Sequence, residues 1–379
     1  MDTNYAKRTA VVIPAYKPDD RLPPYVQALK EAGVGKVVII DDGSGEAFRP
    51  LFDSIPQDDV THIVSYTPNC GKGVALKRGL AYLQEECPQQ DIIVTADSDG
   101  QHTVTDVLRM AQSMEQDNSG VLLGSRDFSQ ADVPTKSRWG NRITSVVFKL
   151  LYGCWVCDTQ TGLRAFGRDL LPMMIAVKGD RYEYEMNVLI ECAHQKLPMR
   201  PLTIQTVYEN NNEGSHFRAF HDSVRIYRVI LGGFFRFIGA SLISALVDYG
   251  FFLLINSLLM AYVPALDREF RFLIFVMVGH ITVATVAARL LSGVFNFAVN
   301  RRFVFGDHGS VKKSFPRYLC VFFFNMLFSA GLTGTLHAVL GWHSNIAKIP
   351  VDLLLFFLSY HVQQRWVFGN ANKDEAPKA

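Results

Sequence analysis

The feature that most limits this chain of 379 residues is a series of four apolar stretches in its second half. Residues 237–263 hold one charged side chain, Asp248, and 272–299 also hold one, Arg289. Residues 318–342 have no Asp, Glu, Lys or Arg, and 346–362 have Lys348 and Asp352. About 20 apolar residues rising ~1.5 Å each cross a ~30 Å hydrocarbon core, so the expectation is four membrane spans. Their helices are expected at about 237–260, 272–299, 316–341 and 346–363. The charge divides the same way. Residues 1–232 carry 25 Lys and Arg against 29 Asp and Glu, whereas 233–371 carry 11 against 5. A water-soluble domain followed by a membrane domain fits this split, and a disordered or nucleic-acid-binding chain does not.

Short loops with excess Lys and Arg face the cytosol. The connection between spans two and three holds Arg301, Arg302, Lys312, Lys313 and Arg317, which puts both termini there. The N-terminus enters a strand-like run within ten residues and shows no signal peptide, which points the same way. The expectation is a multi-pass protein of the inner or plasma membrane with its first domain cytosolic. Six cysteines suggest no disulfide framework, and Cys154 and Cys157 form an isolated pair best read as packed thiols. The membrane half repeats itself. Asn296 to Gly306 and Ser359 to Gly369 align with Arg302 on Arg365 and share Val-Phe-Gly, implying two hairpins of one make.

The first 125 residues alternate apolar β-branched runs (9–13, 36–40, 60–65, 91–96, 121–124) with helix-period segments (23–32, 73–85, 104–115). That alternation predicts an α/β domain with a mostly parallel sheet, whose ligands bind in loops beyond the carboxyl ends of the strands. Those loops are polar. Asp97-Ser98-Asp99 follows the fourth run and brings two hard-oxygen carboxylates near one point, with Gln101 two residues on. Such donors suit Mg²⁺ or Mn²⁺ bridging a diphosphate. Asp41-Asp42-Gly43-Ser44 could accept hydrogen bonds from a base or ribose, or simply end its strand as a turn. Asn69-Cys70-Gly71-Lys72-Gly73 opens a helix and could face a phosphate, though it lacks the Gly-Lys-Ser/Thr ending of a Walker loop.

Together with Pro14-Ala15-Tyr16, Gly124-Ser125-Arg126 and Asp158-Thr159-Gln160-Thr161-Gly162, these motifs resemble family 2 glycosyltransferases of GT-A fold, in the dolichyl/polyprenyl-phosphate mannosyl- and glucosyltransferase branch. That likeness covers residues 8–230; residues 233–370 resemble the GtrA-like four-helix membrane domain. The resemblance implies a Rossmann-like GT-A domain over 1–218, an amphipathic interfacial helix over 219–233 bearing Arg225 and Arg228, an all-α transmembrane domain over 234–370 and a cytosolic tail over 371–379. It implies that Pro14, Tyr16, Ile40, Asp42, Lys72, Asp97, Ser98 and Asp99 bind the nucleotide sugar, that Asp97, Asp99 and Gln101 hold the metal, and that Arg126, Arg138 and Arg142 grip the acceptor phosphate. Asp97, Asp99 and Arg126 would be catalytic, and Glu183 and Glu185 either touch the sugar or serve the helix.

The implied activity is inverting transfer of one hexose, from a GDP-mannose- or UDP-glucose-like donor, to dolichyl or undecaprenyl phosphate. The product would be a β-linked lipid donor for cell-envelope or protein glycosylation. A homo-oligomer is left open, as is the function of the spans beyond anchoring. Two departures bear on the donor: Lys17-Pro18 interrupts the family's acidic Pro-x-Tyr run, and residues 208–217 end Ser215-His216-Phe217 without the preceding Arg. The alternatives are a processive polysaccharide synthase and a lipid-sugar flippase or scaffold. Gln363-Gln364-Arg365-Trp366 has the wrong spacing for the synthase motif, and the intact Asp97/Asp99 pair speaks against a retired domain. Asp248, Arg289 and Asp352 are costly inside a bilayer unless paired, so Arg289 is expected against a carboxylate.

Overall fold

The computed structural model describes residues 4–128, 135–205, 219–272, 275–307, 309–340 and 344–369. It divides into two units, Met1–Ile230 and Leu231–Ala379. Residues 215–217 and the tail lie outside the described residues.

In the first unit the elements run α1 (Asn4–Lys7), β1 (Thr9–Ala15), α2 (Leu22–Glu31), β2 (Lys36–Asp42), α3 (Arg49–Asp53), β3 (Thr61–Tyr66), α4 (Lys72–Glu86), β4 (Ile92–Thr95) and α5 (Val104–Gln116). They continue with β5 (Val121–Arg126), α6 (Thr135–Tyr152), β6 (Arg164–Gly167), α7 (Leu171–Ala176), α8 (Glu183–Gln195) and β7 (Met199–Ile204). The strands form one sheet in the order β3-β2-β1-β4-β6-β5-β7. It is parallel except for β6, which runs antiparallel to both β4 and β5. Every residue of β1 is buried, as a parallel strand covered on both faces requires. Val11, Ile13, Val37, Ile39 and Val94 carry one face of the sheet into a core with Leu22, Leu29 and Met110. Helix starts follow local chemistry: Thr103 caps α5 by accepting the Asp106 N–H, and prolines open α2. β1 lies between β2 and β4, so successive connections leave it in opposite directions. The crevice beyond the carboxyl ends of β1 and β4 is therefore the switch point where α/β sheets bind ligands.

The second unit takes most of α9 (Ala219–Tyr262), followed by a hairpin of β8 (Glu269–Phe272) and β9 (Phe275–Val278). Then come α10 (Gly279–Val299), α11 (Val311–Leu340) and α12 (Ser344–Val362). Val224–Tyr262 and Gly279–Val304 are each long and apolar enough to cross a bilayer. Only 11% and 22% of their most apolar windows are buried, unlike the core helices of a soluble protein. Two expectations need correction. Phe272 and Phe275–Val278 are strand and not the start of a span, because an aromatic and β-branched run suits a strand pair as well as a helix. Residues 219–233 are not a separate interfacial helix but the first turns of α9. Ile226 and Ile230 are buried there, and Tyr227 Oη lies 3.1 Å from Thr144 Oγ1 of α6.

The sequence repeat becomes a local two-fold. Asn300–Val304 and Gln363–Val367 are matching π-helical turns. Asn300 Nδ2 donates to Gln363 Oε1 (3.1 Å), its counterpart in the repeat, and Phe305 stacks on its own counterpart Phe368 at 5.0 Å. The flanking contacts repeat too, Phe297 with Phe368 at 5.7 Å and Tyr360 with Phe305 at 5.8 Å. Residues meet their own equivalents only near a two-fold axis. Here the same ends of both hairpins meet, so the repeat is of the parallel kind.

Arg289 Nε lies 3.6 Å from Asp248 Oδ2, and Ser292 Oγ donates to Asp248 Oδ1 (2.8 Å), which supplies the expected carboxylate partner. Arg289→Leu is expected to destabilise the detergent-solubilised chain by about 2–3 kcal/mol, the cost of an uncompensated charge at a helix centre. Adding Asp248→Leu should recover most of the loss. An unchanged melting temperature in Arg289→Leu would count against the pairing.

Candidate active site

Strand ends set the geometry of the site. Near the end of β1 Pro14 is buried; just beyond the strand Tyr16 is half-buried, and Lys17 takes a left-handed φ of 49° with its N–H on Ser44 Oγ (2.9 Å). In the last residues of β2, Ile40 and Asp42 are buried. The Asp42 carboxylate accepts from the Cys70 N–H, the Gly71 N–H and Asn69 Nδ2, each at 2.8 Å. The Cys70 and Gly71 N–H groups, which the sequence offered to a phosphate, are thus filled from within, and Asp42 fastens the loop that delivers Lys72. Gly71 sits at φ 105°, where a side chain would be strained.

Lys72, the first residue of α4, reaches the end of β4. Its Nζ lies 2.7 Å from Asp97 Oδ1 and 3.0 Å from Glu185 Oε1 of α8. His102 Nε2 lies 3.2 Å from the other Asp97 oxygen. Burial alone would raise the Asp97 pKa, but the Lys72 ammonium and His102 reverse that and hold the carboxyl well below its usual range. Burial also opposes the charge on Lys72, yet Asp97 and Glu185 outweigh it and raise its pKa. The backbone approaches Asp97 closely at Gly162, where a Cβ would stand 2.3 Å from Oδ2. Asp99 accepts the Gln101 N–H (3.0 Å), and its pKa is raised by burial and then by the charge of Asp97. Ser98 and Gln101 are half-buried beside it.

A divalent cation fits here. Two carboxylates stand close together in the chain, and burial and the Asp97 charge both work against ionising Asp99, a penalty that a cation would offset. Among the described residues no group of three or more His, Cys, Asp or Glu forms a metal cage. A cation shared between one or two carboxylates and a substrate diphosphate needs none.

β5 ends in Arg126, whose Nε and Nη2 meet Asp158 Oδ2 and Oδ1 at 2.7 and 3.0 Å. Asp158 is fully buried, so this fork is fixed before any phosphate arrives. Asn141 of α6 holds the same segment, donating to the Cys157 carbonyl (2.6 Å) and accepting from the Thr159 N–H (3.0 Å). Arg138 lies about one turn before Asn141 and is half-buried, and Arg142 directly follows Asn141 and is exposed. α6 also exposes Trp139, Ile143, Val146 and Leu150, spaced along one helix face. Cys154 is half-buried and Cys157 exposed, and neither is in a disulfide, so they are not core thiols.

The structure brings Pro14, Tyr16, Ile40, Asp42, Lys72, Asp97, Ser98, Asp99 and Gln101 to the ends of neighbouring strands β1, β2 and β4. Arg126, Arg138 and Arg142 stand with β5 and α6. Two partners had no role from sequence, His102 on Asp97 and Asp158 on Arg126, although Asp158 opens the Asp-Thr-Gln-Thr-Gly motif and His102 follows Gln101. Glu185, expected to touch the sugar or serve the helix, is instead the anchor of Lys72. Glu183 accepts the Asp180 N–H (3.2 Å), a helix-start role.

Residues 10–171 match the model of glycosyl transferase family 2, and residues 236–368 match that of the GtrA/DPMS transmembrane domain. An uncharacterized protein of Methanocaldococcus jannaschii is 29% identical over 202 residues, 52% of this chain and 81% of its own. The UDP-N-acetylglucosamine–dolichyl-phosphate N-acetylglucosaminyltransferase of Methanococcus voltae is 27% identical over 215 residues, 52% of this chain and 85% of its own. The polyprenol monophosphomannose synthase of Mycolicibacterium smegmatis is 25% identical over 171 residues, 44% and 63% of the two chains. Among solved structures, glucosyl-3-phosphoglycerate synthase of Mycobacterium tuberculosis with Mn²⁺, UDP and glucosyl-3-phosphoglycerate aligns at TM-score 0.45 and 17% identity, over 61% of this chain and 82% of its own.

Proposed function

For a chain that joins a family 2 glycosyltransferase domain to a GtrA/DPMS transmembrane domain, as this one does, we propose transfer of one hexose from a nucleotide sugar to a polyprenyl phosphate. The observation that carries the reading is the Asp97–Asp99 pair at the sheet's switch point, in a domain whose β5 ends in an arginine already fixed by a buried carboxylate. The relatives' names support a lipid-phosphate acceptor while spanning N-acetylglucosamine and mannose. The donor is proposed as a UDP- or GDP-hexose.

Tyr16 is proposed to meet the nucleoside; Pro14, Ile40 and Asp42 are buried at the ends of β1 and β2 and serve by holding those strand ends and the 69–71 loop in place. Asp97 and Asp99, with Gln101 beside them, would hold the divalent cation, Mg²⁺ or Mn²⁺, whose role when bound is to take up charge on the departing nucleoside diphosphate. Arg126, oriented by Asp158, and Arg138 and Arg142 on α6 steer the acceptor phosphate into line with the sugar. A phosphate monoester carries about −1.5 to −2 charge at neutral pH, so its oxygen needs no general base. One acceptor oxygen bonds to the anomeric carbon as the bond to the diphosphate breaks, inverting an α-linked donor to a β-linked lipid phosphate. The α/β domain and the basic loop between α10 and α11 are each proposed to face the cytosol.

The product distinguishes this reading from its rivals. Lipid carrying a single mild-acid-labile sugar of β configuration is expected; a growing polymer would point to a processive synthase. The apolar stripe of α6 supports a lipid-borne acceptor, because a stripe of this size on a charged helix suits a bilayer surface. Ile143→Glu with Leu150→Glu is expected to raise KM for the lipid acceptor about tenfold or more, by removing buried apolar area and adding charge. Nucleotide binding should stay unchanged. An unaltered KM for the lipid would remove α6 from the acceptor path.

A further inference from the structure

Three separate elements converge on one carboxylate. Lys72 opens α4, Asp97 follows β4, and Glu185 lies in the first turn of α8. The ammonium stands 2.7 Å from Asp97 and 3.0 Å from Glu185, and the three side chains are 18%, 29% and 11% exposed. Asp97 therefore has a positive partner on one oxygen and His102 on the other, where a divalent cation has to join it. The loop that sets Lys72 in place is fastened by Asp42, and Gly162, having no side chain, makes room for the Asp97 carboxylate in this position. The arrangement is built from side chains far apart in sequence, and a free surface lysine would need none of it.

We propose that Lys72 is the resident counter-ion of the cation site, a positioning residue tethered by Glu185 that holds Asp97 in place and sets how tightly the divalent cation binds. The inference rests on the cation-dependent transfer proposed above. An ammonium within ion-pair distance of Asp97 repels an incoming cation, and a carboxylate behind it draws the ammonium back. Removing Lys72 leaves Asp97, Asp99 and Glu185 negative together, which favours the cation. The same change lets Asp97 and Glu185 repel each other and takes a positive charge from the diphosphate's surroundings, which disfavours turnover. Affinity for the cation and rate of transfer should thus move in opposite directions, whereas a merely structural lysine would lower both.

The test uses the full chain in detergent, with bound Mn²⁺ counted by electron paramagnetic resonance without nucleotide and sugar transfer measured in parallel. Lys72→Met is expected to bind Mn²⁺ about fivefold tighter or more while kcat falls about tenfold or more, given charge–charge energies at this separation. Lys72→Arg should keep Mn²⁺ affinity within about twofold of the wild type, since the charge remains, and Glu185→Gln should bind Mn²⁺ about threefold weaker. Mn²⁺ binding by Lys72→Met that is unchanged or weaker, at a wild-type melting temperature, overturns the inference and leaves the transferase reading intact. Should Lys72→Met fail to fold, unchanged or tighter binding by Glu185→Gln overturns it equally. A wild type that transfers sugar fully in chelator and binds no Mn²⁺ overturns the inference together with the cation.

Discussion

Asp99→Ala is expected to cut sugar transfer by about a hundredfold or more while the protein folds normally. A charge-stabilising group lost from a reaction centre typically costs about 10²–10³ in kcat, and here the loss would also remove a ligand for the cation. The fold should not suffer. The Asp99 carboxylate makes one backbone contact, with the Gln101 N–H, and burial together with the Asp97 charge already disfavours its ionised form. Asp99→Asn, which removes the charge and keeps the shape, is therefore expected to melt no lower than the wild type in chelator. Transfer within a few-fold of wild type in Asp99→Ala would exclude the carboxylate from the reaction and favour a scaffold.

Asp158→Ala should do the opposite, damaging the fold first. Asp158 is fully buried, takes both arms of the Arg126 guanidinium and accepts the Gln160 N–H (3.1 Å). Breaking a buried pair by removing one partner costs about 3–5 kcal/mol, because the remaining charge is left in a poor environment. Arg126 retains some solvent access, so the lower end, about 3 kcal/mol, is expected in thermal or denaturant unfolding of the α/β unit. Transfer should fall as well, since Arg126 loses its aim at the acceptor phosphate. Asp158→Asn keeps one hydrogen bond and should fall between the two. A wild-type melting curve for Asp158→Ala would mean that the pair does not hold β5 to the 158–162 segment.

Both residues bear on what the sequence could disclose. β1, β2 and β4 are readable because strands buried on both faces must be continuous in apolar, β-branched residues, and the chain changes abruptly to polar residues where they end. Asp97 and Asp99 stand at such an end, so their position follows from local pattern. β6 and β7 have no such pattern. β6 is four residues beginning with Arg164, and β7 carries Pro201, which only an edge strand tolerates. The first turns of α9 look amphipathic enough for a membrane surface, but Ile226 and Ile230 are buried and the Ile230 carbonyl accepts from Tyr152 Oη of α6.

Within the site, sequence names which residues stand at the strand ends but not where their side chains turn. Asp42 faces its own neighbouring loop, and Lys72 faces Asp97 and Glu185. Those choices depend on tertiary contacts between α4, β4 and α8 that no local spacing encodes. The repeat in the membrane half is the reverse case. Matching residues at Asn300 and Gln363 and at Phe305 and Phe368 already implied two like hairpins, and the structure adds that the matched residues touch.

The most direct test of the account is label transfer by the purified chain in detergent, with polyprenyl phosphate, Mn²⁺ or Mg²⁺ and a panel of labelled UDP- and GDP-sugars. Label entering the organic phase from one donor, dependent on the lipid phosphate and abolished by chelator, is the predicted result and would identify the sugar. No lipid label from any donor, with the protein folded and the cation present, would contradict it.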